Sequence, residues 1–218
     1  MDFFYNAAFQ TEDFVKLRKY LEKYGFMPQE KRLPALVTGV SHIHKAHFLS
    51  ALIREHSPAL IIAESEGEAQ RLCSDINAMN GSETALLYPA RELALGTYEA
   101  ASREYEYKRI YALSSLLSGK CLAAVCSAEA AAQLTIPPSE LQKRTVTLES
   151  GCECSQQELV EQLISAGYSR ADMIEGAGQF SVRGGIVDIF PPSSPEPCRV
   201  EFWGDTVDSI SRFDTESQ

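Results

Sequence analysis

No apolar run in these 218 residues approaches the roughly 20 that a membrane-spanning helix requires. The first residues, Met1-Asp2-Phe3-Phe4-Tyr5, lack the basic and apolar regions of a secretory leader. A cytoplasmic protein without a membrane partner is therefore expected. Basic residues are in deficit, 20 against 30 acidic for a net charge of −10, which argues against a broad nucleic-acid surface and leaves room only for a local basic patch. Zinc-like spacing is missing too: Cys152-Glu-Cys154 has a single-residue spacer and no second Cys or His pair to complete a site. The other four cysteines (Cys73, Cys121, Cys126 and Cys198) lie in helical or strand patterns, and structural thiols are expected rather than disulfides or metal ligands. What remains, 44% hydrophobic with 23% charged, is the make-up of a folded chain rather than a disordered one.

The first half alternates helical and strand patterns. Phe14, Leu17, Tyr20 and Leu21 form a helical stripe that Gly25 ends. A strand over 33–38, a helix over 44–54, a buried strand over 59–63 and a helix opened by the capping box Ser65-Glu-Gly-Glu68 follow. Further strands are expected at 85–88 and 122–125, around a long helix over 101–117, with Ser127 capping a short Ala-rich helix. Such alternation implies an α/β domain, its parallel sheet flanked by helices on both faces. This domain spans 1–133.

At Thr135-Ile-Pro-Pro-Ser139 the rhythm breaks, and two prolines mark 134–142 as a linker. Beyond it, 143–218 reads as a small α+β domain: a strand over 144–148, a helix opened by Ser155-Gln-Gln-Glu158 and ended by Gly167, then strands at 179–183, 185–190 and 198–203, the last turning at Gly204-Asp205 into 206–213. Residues 1–142 carry a net charge of −3 and the remainder −7.

Between the 33–38 strand and the next helix lies Thr38-Gly39-Val40-Ser41-His42-Ile43-His44-Lys45-Ala46. A phosphate loop needs a glycine-rich turn, a lysine for the β- and γ-phosphates and a hydroxyl for magnesium. Gly39 and Lys45 keep that spacing, but His44 stands where a second glycine belongs and Ala46 where the hydroxyl belongs. The pattern is a degenerate P-loop, not expected to bind nucleotide. His42, His44 and His47 crowd the same loop without a carboxylate or thiolate at fixed spacing, so no metal is expected there. Neither Gly-x-Ser-x-Gly nor His-Glu-x-x-His occurs, and no catalytic residue is expected.

The strands after Gly178 separate two faces by alternation. Phe180 and Val182 share one side, as do Cys198, Val200 and Phe202; Ser181, Arg183, Arg199, Glu201 and Trp203 fall on the other. Trp203 thus sits among charges beside an arginine, the composition of an interface hot spot. The competing reading folds Trp203 over the sheet edge, with the arginines paired to Glu201 and Asp205.

Gly178-Gln-Phe-Ser-Val-Arg-Gly-Gly-Ile-Val-Asp-Ile-Phe-Pro191, Arg199-Val-Glu-Phe-Trp-Gly-Asp-Thr-Val-Asp208 and Phe213-Asp214 resemble the UvrB-homology module of bacterial transcription-repair coupling factors. The repair subunit UvrB carries a similar stretch. The resemblance is strong over 167–218 and extends to the degenerate loop. UvrB itself keeps a working P-loop and an aromatic hairpin, and 88–111 offers no comparable hairpin despite Tyr98, Tyr105 and Tyr107. The resemblance implies a non-catalytic module that recruits UvrA to stalled RNA polymerase in nucleotide excision repair. Arg183 and Arg199 match the family's UvrA-contacting arginines and Trp203 its aromatic contact position, and substitutions on this face are expected to leave the fold intact. An N-terminal fragment is implied, with contacts to polymerase and DNA, and an ATP- and magnesium-dependent translocase, in downstream parts; the chain itself needs no cofactor. The alternative is a UvrB-type, ATP-dependent helicase-like domain.

Overall fold

A computed structural model describes residues 10–25, 34–91 and 103–215. In chain order the elements are α1 (Glu12–Gly25), α2 (His42–Glu55), β1 (Ala59–Ala63), α3 (Glu66–Asn80), β2 (Ala85–Leu87), α4 (Glu104–Leu117), β3 (Ala123–Ser127), α5 (Ala128–Ala132), α6 (Pro138–Lys143), α7 (Gln156–Ser165), β4 (Ser169–Arg170), β5 (Gln179–Arg183), β6 (Ile186–Phe190), β7 (Cys198–Trp203) and β8 (Thr206–Arg212). Two compact units result: Met1–Tyr88 with Gly119–Ala131, and Pro89–Ser118 with Ala132–Gln218. Tyr98 lies outside the described residues.

The first unit holds a parallel three-stranded sheet in the order β1-β3-β2. Ala46 and Ile53 of α2 and Ala69, Leu72, Cys73 and Ile76 of α3 pack with Ile61, Ala63, Ala85, Ala123 and Val125 of the strands. Asn77, near the end of α3, clamps the start of β2: its Oδ1 accepts from Thr84 N and Ala85 N at 2.9 and 2.8 Å. One expectation fails here. Residues 34–40 form no strand, and Leu36 is 89% exposed; Pro34 has no N–H to donate, and a strand persists only where its backbone groups find a ladder. Helices flank the sheet as expected, but among the described residues none covers Leu60 and Ile62, which alternate with buried Ile61 and Ala63 on β1 and are exposed.

The second unit is built on a mixed five-stranded sheet, β4-β5-β6-β7-β8, parallel only between β4 and β5. Leu159 and Leu163 of α7 seal its apolar face over Phe180, Val187, Ile189, Val200 and Val207. Each such side chain contributes about 1.5–3 kcal/mol on burial, so this face is what holds the unit together. The capping box that starts α7 is complete: Ser155 Oγ accepts from Glu158 N at 3.2 Å, and the Glu158 carboxylate accepts from Ser155 N at 3.0 Å. No strand forms over 144–148. The paired prolines begin a helix, α6, with Pro137 as its N-cap and Pro138 at the first position, where a missing N–H leaves nothing unsatisfied and the fixed φ suits the helix.

Candidate partner-docking site

The antiparallel register assembles the polar face of the second unit. Ser181 of β5 stands opposite Asp188 of β6, and Asp188 opposite Arg199 of β7. Asp188 is 1% exposed, a carboxylate in the middle of a sheet. It survives there because two guanidiniums close on it. Arg199 donates from Nε to Oδ1 at 2.7 Å and from Nη2 to Oδ2 at 2.9 Å, and Arg183 donates from Nη2 to Oδ2 at 2.5 Å. Burial alone would raise the Asp188 pKa, but the hydrogen bonds and charges of Arg199 and Arg183 outweigh it and hold the carboxyl below its usual range. The same hydrogen bond raises Arg199 further. Arg199 is also stacked, its guanidinium carbon 5.0 Å from the centroid of the Phe213 ring, within cation–π range.

A β-bulge interrupts the β7–β8 ladder between Glu201 and Phe202, whose partners are Ser209 and Val207. The extra residue is therefore Asp208 on β8, and alternation along β7 continues unbroken. Val200 and Phe202 face the core, while Trp203 falls on the side of Arg199 and Glu201 and is 84% exposed.

Arg183, Arg199 and Trp203 thus share one face, as alternation predicted. The arginines do not pair with Glu201 and Asp205. Their partner is Asp188, a residue that alternation alone assigns to the polar face without indicating a role. Its signal was a lone carboxylate flanked by Val187 and Ile189 in a strand with arginines on its neighbours. One expectation needs correction: Arg199 is not fold-neutral, because removing it strips two of the three hydrogen bonds that satisfy a buried charge.

In the first unit, Gly39 adopts φ +82°, the left-handed region open to glycine. Ser41 precedes α2, its hydroxyl 2.8 Å from His44 Nδ1. Lys45 Nζ lies 3.6 Å and His42 Nδ1 3.5 Å from Glu68 Oε1, and Arg71 pairs with the same carboxylate. Glu68 therefore does not return to Ser65 to complete the expected capping box; only the Ser65 half forms. Ala46 is buried in the core. The lysine at the phosphate-loop position is thus paired with a carboxylate that Arg71 also engages. Among the described residues no three His, Cys, Asp or Glu side chains stand together as a metal cage, and no helix is long and apolar enough to cross a membrane.

Residues 146–218 match the UvrB interaction domain family. The chain is 32% identical over 185 residues to a transcription-repair-coupling factor of Bacillus subtilis, 84% of this chain and 16% of that protein. It is 28% identical over 184 residues to the one of Staphylococcus aureus and 30% over 174 residues to the one of Mycobacterium tuberculosis. These alignments cover 84% and 78% of this chain and 16% and 14% of the relatives.

This chain carries a UvrB interaction domain and aligns over most of its length with transcription-repair-coupling factors. It spans about a sixth of the length of the curated relatives it matches. Arg183, Asp188, Arg199 and Trp203 all fall inside the UvrB interaction domain, whereas Gly39, His44, Lys45 and Ala46 precede it.

Proposed function

We propose that the chain is a non-catalytic docking module that recruits UvrA during transcription-coupled nucleotide excision repair, with the polar face of the β5–β8 sheet as its contact surface. The observation that carries this reading is the pair of guanidiniums fixed on Asp188, on the same sheet face as the exposed ring of Trp203. Fixed arginine forks suit partner carboxylates, and an exposed indole supplies the apolar area that arginines lack. In a domain of net charge −7 two arginines make no phosphate-tracking stripe, which favours a protein partner over a DNA backbone.

The loop around Gly39 and Lys45 is read as a P-loop that has lost its chemistry. Glu68 occupies the lysine, and Ala46 offers no hydroxyl for magnesium. The chain accordingly needs no cofactor. Contacts to RNA polymerase and DNA, and any ATP-driven translocation, belong to other parts of the longer protein, and the site of action is the cytoplasm. Titrating the 218-residue chain with UvrA tests the reading. Saturable binding that Trp203→Ala weakens is expected, and absence of binding refutes it. A parallel titration with ATP and magnesium distinguishes the helicase-like alternative, since micromolar affinity there would contradict the non-catalytic reading.

A further inference from the structure

Asp188 does not reach the surface, at 1% exposure, and yet both arginines of the docking face are organised by it. Arg183 comes from β5 and Arg199 from β7, the strands on either side of Asp188 in β6. Arg199 spends two of its five N–H donors on the carboxylate and Arg183 one. The remaining donors on each guanidinium are those available to a partner. Arg183 is 47% and Arg199 26% exposed at the side chain, so neither is withdrawn into the sheet.

Long arginine side chains lose much rotamer freedom when a partner immobilises them, and a group held in its bound geometry beforehand loses less. Rigidity from Asp188, with Phe213 stacked on Arg199, means that this ordering is complete when the domain folds. Charge enters in the same direction. Two guanidinium charges outnumber the one carboxylate buried between them, and although Glu201 shares the face, the donors the guanidiniums have left favour an acidic segment of the partner.

We propose that Asp188 is a positioning residue for partner binding: without touching the partner, it aligns Arg183 and Arg199 as one acidic-segment receptor. The proposal rests on the docking reading above and names the chemistry of what that face accepts. A merely structural Asp188 would affect binding only by unfolding the domain.

The test is a thermodynamic cycle on the whole chain, with UvrA as the probe, at a temperature where circular dichroism shows every variant folded. Asp188→Asn is nearly isosteric and removes the charge that orders both arginines. It is expected to weaken UvrA binding by about tenfold or more, and to have no further effect when Arg183 and Arg199 are both already alanine, because Asp188 acts through them. Wild-type affinity in Asp188→Asn, alongside weakened binding in Arg199→Ala, overturns the positioning role and leaves the docking reading standing. An equal loss from Asp188→Asn in the double-alanine background also overturns it. Unchanged affinity in Arg183→Ala and Arg199→Ala instead sinks the docking reading itself, and the inference with it. Should Asp188→Asn fail to fold, the wild-type protein decides by ¹⁵N spectroscopy of the Arg199 Nε–Hε group. A resonance protected from exchange before UvrA is added supports the inference, and rapid exchange in the free protein refutes it.

Discussion

Replacing Arg199 with alanine removes two hydrogen bonds to a buried carboxylate, at 2.7 and 2.9 Å, together with the stacking on Phe213. Hydrogen bonds to charged groups contribute about 1.5–3 kcal/mol each, and stripping a fully buried pair costs about 3–5 kcal/mol. Two features lower that ceiling. Arg183 still satisfies Oδ2, and the Arg199 side chain is 26% exposed, so water can enter where it leaves. About 2 kcal/mol is therefore expected. For a cooperative unit the size of the UvrB interaction domain, a loss of 1 kcal/mol lowers Tm by about 4–8 °C, so Arg199→Ala should melt roughly 10 °C below wild type. Arg183→Ala removes one bond from a side chain 47% exposed and should cost about half as much or less. Calorimetry of the three proteins at neutral pH checks the order. If Arg199→Ala melted with wild type, or if Arg183→Ala were the more damaging change, Asp188 would not be depending on Arg199 as the geometry requires. The same experiment sets the temperature at which binding losses can be measured without unfolding.

Trp203→Ala should leave Tm unchanged within error while weakening UvrA binding by about thirtyfold, the loss of an anchor worth about 2 kcal/mol; its neighbour Phe202→Ala, on the core side, should instead lower Tm, as paired melting and titration would establish. Because its folded pKa is depressed, Asp188 contributes stability that is present above the unfolded carboxyl value, about 3.9, and lost as pH falls through the folded value. Melting curves from pH 6 to pH 3 should therefore drop less steeply in Asp188→Asn than in wild type, and parallel curves would contradict the assignment. Ser155→Ala deletes one half of the α7 capping box and should destabilise the domain by about 1 kcal/mol, read by urea denaturation. Burial pushes the Cys73 thiol up to about 11, so alkylation at pH 8 should be far slower than in the unfolded chain; equal rates would mean that the thiol is not in the core.

What one residue's neighbours in sequence dictate was legible without a structure. Two-residue alternation assigned Arg183, Arg199 and Trp203 to one face and Phe180, Val200 and Phe202 to the other, because a strand's side chains must alternate whatever it pairs with. The bulge spared that assignment only by falling on β8. The capping box at Ser155 is equally local, a matter of three residues and two hydrogen bonds. At Ser65 the same motif was half realised, since Glu68 found Lys45, His42 and Arg71, side chains contributed by α2 and by the next turn of its own helix. The strand expected over 33–38 depended on a neighbour to pair with, and Pro137-Pro138 on whether the chain after them turned helical. Asp188 shows the limit most plainly. Arg183 lies five residues before it and Arg199 eleven after, and only the hairpins that set β5, β6 and β7 side by side bring both guanidiniums to one carboxylate. Alternation gives the side a residue faces, but burial and charge pairing are properties of adjacent strands, and the tertiary structure alone determined them.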